Sequence, residues 1–307
     1  MDIFLLLLTT LLPLYALIGI GFAAGRWFSV DRETLANFAI YICVPAVAFG
    51  FIAQIDFRPE YTLLPMVIFV IAGAIAIAAL HLGRRLYPDN RVNLMAMCAS
   101  LGNMGYFGLP VVMALYDEKL VAVYMFMLLG GIIFESTAGY YMAARGHFTV
   151  RDSLVKLSKF PTIYAIALGL MVNFMHIQLP DQLFLYWEYF KGAYVIMGMM
   201  IIGAALSRVK KLIIAPKFIA LSFAGKFIAW PLLAYLFIFL DRHVFGIFDS
   251  DIYHLILLMS LVPPGANIAA FASQMDLKPE KAATTVLLGT IFALFYIPAM
   301  LALLGLH

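Results

Sequence analysis

Long apolar runs separated by short polar breaks are the dominant pattern along this chain. A helix that crosses a hydrocarbon core of about 30 Å needs about 20 predominantly apolar residues. Runs of that length recur along the sequence with few residues between them, and they lack the alternation of a half-buried strand. We therefore predict an all-α membrane protein with ten spanning helices, at residues 4–25, 33–54, 61–83, 92–116, 119–144, 158–176, 185–207, 217–240, 252–275 and 280–305.

Composition excludes the soluble classes of protein. Hydrophobic residues make up 64% of the 307 residues, charged residues only 12%, and the mean hydropathy is +0.98. A soluble globule is about 25% charged, so most of this surface must face lipid. The net charge of +3 provides no basis for nucleic-acid binding. The lipid bilayer is therefore the first expected partner, and no nucleic-acid partner is expected.

Basic residues are distributed unequally between alternate loops. Fifteen of the 20 Lys and Arg residues lie in loops on one side of the predicted spans and four on the other, while Lys226 lies within a span. Loops rich in Lys and Arg remain in the cytoplasm. We therefore predict a multi-pass protein of the cytoplasmic (inner) membrane with both termini on the non-cytoplasmic side.

Weak internal similarity predicts two repeats of five spans, residues 1–145 and 158–307, joined by a short cytoplasmic linker at 146–157. Residues 13–16 (Pro-Leu-Tyr-Ala) resemble 161–165 (Pro-Thr-Ile-Tyr-Ala), and the Ser-Leu pair of span four recurs in span nine. An odd number of spans per repeat makes the second repeat insert upside down. Inverted repeats with interrupted helices at equivalent positions are typical of secondary transporters.

Spans four and nine both contain residues that interrupt a helix. Span four has three glycines, an Asn and Pro110 within ten residues, and span nine has Pro263-Pro264-Gly265. We expect Pro110 to open a new half-helix, because its φ is already helical. Two interruptions at one depth predict a shared polar cavity, although either could also be a kink that serves packing alone.

The predicted topology makes spans four and nine antiparallel. If they cross at their breaks, both second half-helices direct their N-termini, with partial positive charge and free N–H groups, at one point. Asparagine amides can add hydrogen bonds there. We therefore predict a site for a small organic anion, such as a carboxylate, without a metal or cofactor, formed by Asn103, Met104, Gly105, Tyr106, Pro110, Pro263, Pro264, Gly265 and Asn267.

The run Gly-Asn-Met-Gly-Tyr-Phe-Gly-Leu-Pro-Val at 102–111 resembles a signature of the auxin efflux carrier (PIN-like) family, in its bacterial form. Residues 44–49 (Val-Pro-Ala-Val-Ala-Phe) and 226–231 (Lys-Phe-Ile-Ala-Trp-Pro) also resemble segments of that family, and the similarity extends over nearly the whole chain.

The resemblance implies a fold like that of the bile acid/sodium symporters. Spans 1, 2, 6 and 7 would then form a panel domain, and spans 3–5 and 8–10 a moving core. It carries over Asn103, Pro110, Pro263, Pro264 and Asn267 as site residues. The long hydrophilic loop of many plant members is absent, and span two lacks an acidic residue that is associated with the plant exporters. Auxin is therefore not implied as the substrate.

The two clear cases of an ionisable residue deep within a predicted span are Glu135 in span five and Lys226 in span eight. Such residues are costly in lipid and are functional candidates by default. Their similar depth permits an ion pair, which could couple ions, compensate charge in place of a sodium ion, or only fix helix packing.

The expected function is transport of small organic anions by an elevator-type movement, without enzymatic activity. The negative-inside potential favours anion exit, so efflux is favoured, with proton- or sodium-coupled symport as an alternative. A channel or a ligand sensor built on a transporter fold is an alternative of another class. A homodimer is left open.

Overall fold

The computed structural model describes residues 3–143, 151, 155, 158–209, 212–274 and 279–305. Its regular structure over these residues is helical, apart from one isolated antiparallel bridge between Gly102 and Pro264. The predicted linker at 146–157 lies outside the described residues except for Arg151 and Val155.

Twelve helical elements follow one another along the described chain. They are α1 (Ile3–Trp27), α2 (Arg32–Ala53), α3 (Pro59–Arg84), α4 (Arg91–Ser100), α5 (Met104–Leu115), α6 (Glu118–Met142), α7 (Pro161–Phe174), α8 (Asp181–Ser207), α9 (Pro216–Phe245), α10 (Ser250–Leu261), α11 (Ile268–Gln274) and α12 (Pro279–Leu304).

Seven of the helices in the described ranges are long and apolar enough to cross a membrane: α1, α2, α3, α6, α8, α9 and α12. They coincide with predicted spans one, two, three, five, seven, eight and ten. Predicted span six is the shorter helix α7. Predicted spans four and nine are each divided into two short helices, α4 with α5 and α10 with α11.

Aspartates fix the start of three helices. Asp31, Asp117 and Asp249 each accept a hydrogen bond from a backbone N–H in the first turn of α2, α6 and α10, at 2.8, 2.9 and 3.2 Å. An N-cap carboxylate satisfies a donor that has no partner within the helix and favours the positive end of the helix dipole. These caps define where each helix begins, which hydropathy alone does not determine.

The helices pack in two groups. α1 packs along α8, and α7 packs against the second half of α2. α3 packs against α4 and α6, while α9 packs on α10 and α12 packs on α11. The contact between α1 and α8 depends on glycine: a Cβ on Gly21 would lie 2.5 Å from Met200 Cα, and one on Gly203 would lie 2.5 Å from Phe22 N.

Gly21→Ala is expected to destabilise the protein by about 1–3 kcal/mol, because the added methyl group must separate α1 from the α8 backbone. Gly19→Ala is the matched control on the same helix, since nothing lies within 4 Å of a Cβ there. It should leave stability unchanged or raise it slightly. Thermal unfolding in detergent measures both, and equal midpoints for the two variants would contradict the assigned contact.

Candidate functional site

The two interrupted segments meet as predicted. Asn103 N–H donates to the Pro263 carbonyl at 2.8 Å, and Gly265 N–H donates to the Leu101 carbonyl at 3.0 Å. Gly102 and Pro264 form the antiparallel bridge between them. Each break therefore supplies hydrogen-bond partners that the other has lost, in a region where lipid offers none.

Glycine at 102 is required by the closeness of the crossing. A Cβ there would lie 2.9 Å from Val262 Cγ2 and 3.2 Å from Lys226 Nζ. Gly289 of α12 packs against Pro264, the bridge partner of Gly102. A Cβ on Gly289 would lie 2.7 Å from Pro264 Cδ. The backbones can approach each other, and α12 can pack behind them, because these two positions lack side chains.

Pro110 is the second residue of the α-helical part of α5, Leu109–Leu115, but it does not mark the break itself. The chain breaks before Met104, and Pro110 lies inside α5, two residues beyond a π-helical turn in which Gly108 N–H donates to the Asn103 carbonyl at 2.9 Å. π-helical turns likewise end two residues before Pro45 in α2 and Pro231 in α9. Such a turn shifts the hydrogen-bond register, so the proline is accommodated within a continuous helix.

Helix α9 supplies donors to the C-terminal ends of α4 and α10. Trp230 Nε1–H donates to the Ser100 carbonyl at 3.0 Å, and Lys226 Nζ donates to the Ser260 carbonyl at 3.3 Å. Lys226 is fully buried, and its ammonium lies 4.4 Å from the centre of the Trp230 ring. The C-terminal end of a helix carries partial negative charge, so it favours a cation at this position.

Lys226 and Glu135 serve different partners. The Glu135 carboxylate accepts a hydrogen bond from Asn267 Nδ2 at 3.2 Å, whereas the Lys226 ammonium lies on Ser260 and Trp230. The ion pair that their equal depth permitted is not formed between them. Depth along a helix says nothing about the face on which a side chain emerges.

A cavity of about 120 Å³ lies beside the crossing. Of the predicted site residues, Asn103, Met104, Gly105, Tyr106, Gly265, Asn267 and Glu135 line it, whereas Pro110, Pro263, Pro264 and Lys226 are not among the lining residues. Further lining residues come from α2, α6, α7 and α8 and include Ile40, Val44, Ser136, Thr162 and Tyr194. Among the described residues, no group of three His, Cys, Asp or Glu side chains could hold a metal ion.

Three polar atoms of the cavity lining have no partner within the described part of the chain. They are Asn103 Nδ2, the Tyr106 hydroxyl and the Ser136 hydroxyl, and all three are buried. A buried polar group without a hydrogen bond costs about 1–3 kcal/mol, so each is an available contact for a polar ligand. The sequence indicated Asn103 and Tyr106 but not Ser136.

Arg32 is the charged residue that the sequence analysis missed at this site, because it was counted among the loop charges. It is the first residue of α2, is largely buried, and donates from Nη2 to Asn267 Oδ1 at 2.8 Å. Asn267 thus links Arg32 to Glu135. Asp31, which precedes Arg32, caps α2. The hydrogen bond from the Thr34 N–H is the largest cause that holds the pKa of Asp31 well below its usual range, and the hydrogen bond from Arg208 is the next.

Comparison with known proteins shows a family likeness over almost the whole chain. The model of the family described as "Membrane transport protein" matches residues 6–151 and 146–301. An uncharacterised transporter of Methanocaldococcus jannaschii is 25% identical over 281 residues, which cover 86% of this chain and 87% of the relative. A Rhizobium meliloti protein named "Putative malonate transporter" is 21% identical over 308 residues, covering 95% of this chain and 94% of the relative.

Trp230→Phe is expected to destabilise the protein by about 1–3 kcal/mol, because the Ser100 carbonyl then loses its donor in a buried position. Trp27→Phe is the matched control, since Trp27 is 73% exposed. Thermal unfolding in detergent tests the difference. A midpoint equal to that of the control would show that the indole N–H does not support the crossing.

Proposed function

The chain belongs to the membrane transport protein family, and we propose that it is a secondary transporter, resembling the auxin efflux carriers, that moves small organic anions. The observation that carries this proposal is the hydrogen-bonded crossing of two broken helices beside a cavity lined by both of them. Interrupted helices that cross within a bundle form the binding site in several transporter folds. No enzymatic role is proposed.

The chemistry of the cavity favours an anion. The first turn of α5 begins at Met104 beside the cavity, where Asn103 Nδ2 and the Tyr106 hydroxyl have no partner among the described residues. Two buried or largely buried cations, Lys226 and Arg32, lie around the crossing together with one carboxylate, Glu135. Helix N-terminal N–H groups and an excess of positive charge both stabilise a bound carboxylate.

The name of the Rhizobium meliloti relative adds a chemical class to this argument. It describes transport of malonate, a small carboxylate. We propose a carboxylate substrate for this chain as well. The size of the cavity, and the donors in its lining that have no partner among the described residues, also support that class.

We propose ten membrane spans in two inverted repeats, 1–145 and 158–307. The support is the paired form of α4–α5 and α10–α11, each a helix, a break and a second helix, and the two family matches that meet near residue 148. The termini would lie on the non-cytoplasmic side of the cell membrane, as the distribution of basic residues favours.

The packing groups support an elevator mechanism. α1, α2, α7 and α8 would form the panel, and α3–α6 with α9–α12 the moving core, so that the crossing belongs to the core. The cavity is lined from both groups, by Ile40, Val44, Thr162 and Tyr194 on the panel side and by the crossing on the other. A shift of the core would carry a bound anion past these panel residues.

The proposed direction is efflux driven by the membrane potential, which favours anion exit by about 2.3 kcal/mol per charge per 100 mV. The buried amine of Lys226 lies at the crossing, where its protonated form would take the place of a coupled sodium ion. One observation favours a second candidate, proton-coupled symport: Glu135 lines the cavity and hydrogen-bonds to Asn267.

Asn103→Ala and Asn267→Ala are each expected to abolish stabilisation of the purified protein by a bound carboxylate, since each removes an amide from the cavity. A ligand at 100 times its Kd stabilises a protein by about 2.7 kcal/mol, which a thermal-shift assay resolves. Asn90→Ala is the control, because that side chain makes no capping hydrogen bond at the start of α4. A hit that keeps its affinity in both variants would refute the site.

Glu135→Gln tests proton coupling by transport assays over a pH series. If Glu135 carries the coupled proton, wild-type uptake rises as the external pH falls, and the variant loses that dependence because its amide cannot titrate. Glu280→Gln, which changes an exposed carboxylate, is the control. An unchanged pH response in Glu135→Gln would remove Glu135 as the coupling group.

A further inference from the structure

Arg32 is a largely buried cation whose hydrogen bonding is incomplete. Its Nη2 donates to Asn267 Oδ1 at 2.8 Å, while its Nε is buried and has no partner among the described residues. A guanidinium offers five donors in a planar fork that matches a carboxylate in two parallel hydrogen bonds. A neutral amide oxygen uses only one arm of that fork.

Arg32 is not itself among the residues that line the cavity, but it hydrogen-bonds to Asn267, which does line it. The Arg32 guanidinium interacts electrostatically with Tyr106 and with Glu135, both of which line the cavity. The Tyr106 hydroxyl and Asn103 Nδ2 are both buried, and neither has a partner in the part of the chain that the structure describes. Asn103 and Tyr106 are three positions apart, Asn103 at the break and Tyr106 in the π-helical turn that opens α5.

We propose that Arg32 is a specificity-determining residue for substrates with two carboxylates, a deepening that rests on the proposed function. The first carboxylate binds at Asn103 and the opening turn of α5. The second lies near Tyr106 and takes the Arg32 guanidinium from Asn267, so that a neutral acceptor is exchanged for a charged one.

The spacing and the charges favour a short dicarboxylate. The two donor groups are about one helical turn apart, which a chain of three or four carbons can bridge. Release of Asn267 leaves its amide with Glu135 as a continuing partner. The exchange therefore keeps the Asn267 Nδ2–H on Glu135 while Asn267 Oδ1 gives up its donor. It also gives the Arg32 Nε, which has no partner among the described residues, a carboxylate acceptor.

The test compares malonate with its monomethyl ester, which has nearly the same shape but only one charged carboxylate. Binding of each to the purified protein is measured by calorimetry, and transport by counterflow in proteoliposomes. Arg32→Ala is expected to weaken the binding of malonate by about 10- to 100-fold. The binding of the monoester should weaken by less than about threefold. Arg32→Lys should lose most of the same preference, because an ammonium lacks the planar fork.

Arg26→Ala is the matched control, an exposed arginine at the end of α1 near the same loop. It should leave both affinities unchanged. The ratio of the two affinities is the decisive quantity. A folding defect in Arg32→Ala would reduce the apparent binding of both ligands by the same factor, so the ratio would not change.

Two failures are distinguishable. If the wild type binds both compounds through Asn103 but Arg32→Ala leaves their ratio unchanged, Arg32 is a structural residue and the inference is overturned, while the proposed function stands. If the wild type binds neither malonate, its monoester nor any other carboxylate, the proposed function fails and the inference fails with it.

Discussion

The structure depends on an exchange of two backbone hydrogen bonds between Leu101–Asn103 and Pro263–Gly265. A helix that breaks inside lipid exposes polar groups that the surroundings cannot satisfy, at several kcal/mol for each group. Here two broken helices satisfy each other, so neither break could persist alone. The crossing is therefore both the weakest point of two helices and the reason that they belong to one unit.

Electrostatics divides the crossing into two ends of opposite character. The helices that lead into it, α4 and α10, end on carbonyls that receive donors from Trp230 and Lys226. The helix that leads out of it, α5, begins at Met104, with its N-terminal end and the side chain of Asn103 beside the cavity. The protein thus supplies its own cation where the dipoles are negative and leaves the positive end to a ligand.

The sequence was sufficient for features that depend on hydropathy and on backbone chemistry. Span lengths followed from apolar runs, and the meeting of the two breaks followed from Gly102 and Pro264, which few regular helices tolerate. The sequence was insufficient wherever the outcome depended on the direction in which a side chain points around its helix axis. Glu135 and Lys226 share a depth but emerge toward different partners, and Arg32 looks like a loop charge until α2 turns it inward. Pro110 follows the break without marking it, because a π-helical turn at Met104–Gly108 precedes the α-helical part of α5.

The glycine contact between α1 and α8 has a mechanical consequence. Backbone meets backbone at Gly21 and Gly203, so the fit contains no rotamers that could rearrange under load. Helices joined through long side chains can slide by small repacking steps, whereas this pair can only stay together or separate. In the proposed elevator mechanism, this pair would belong to the static domain, and the core would move relative to it.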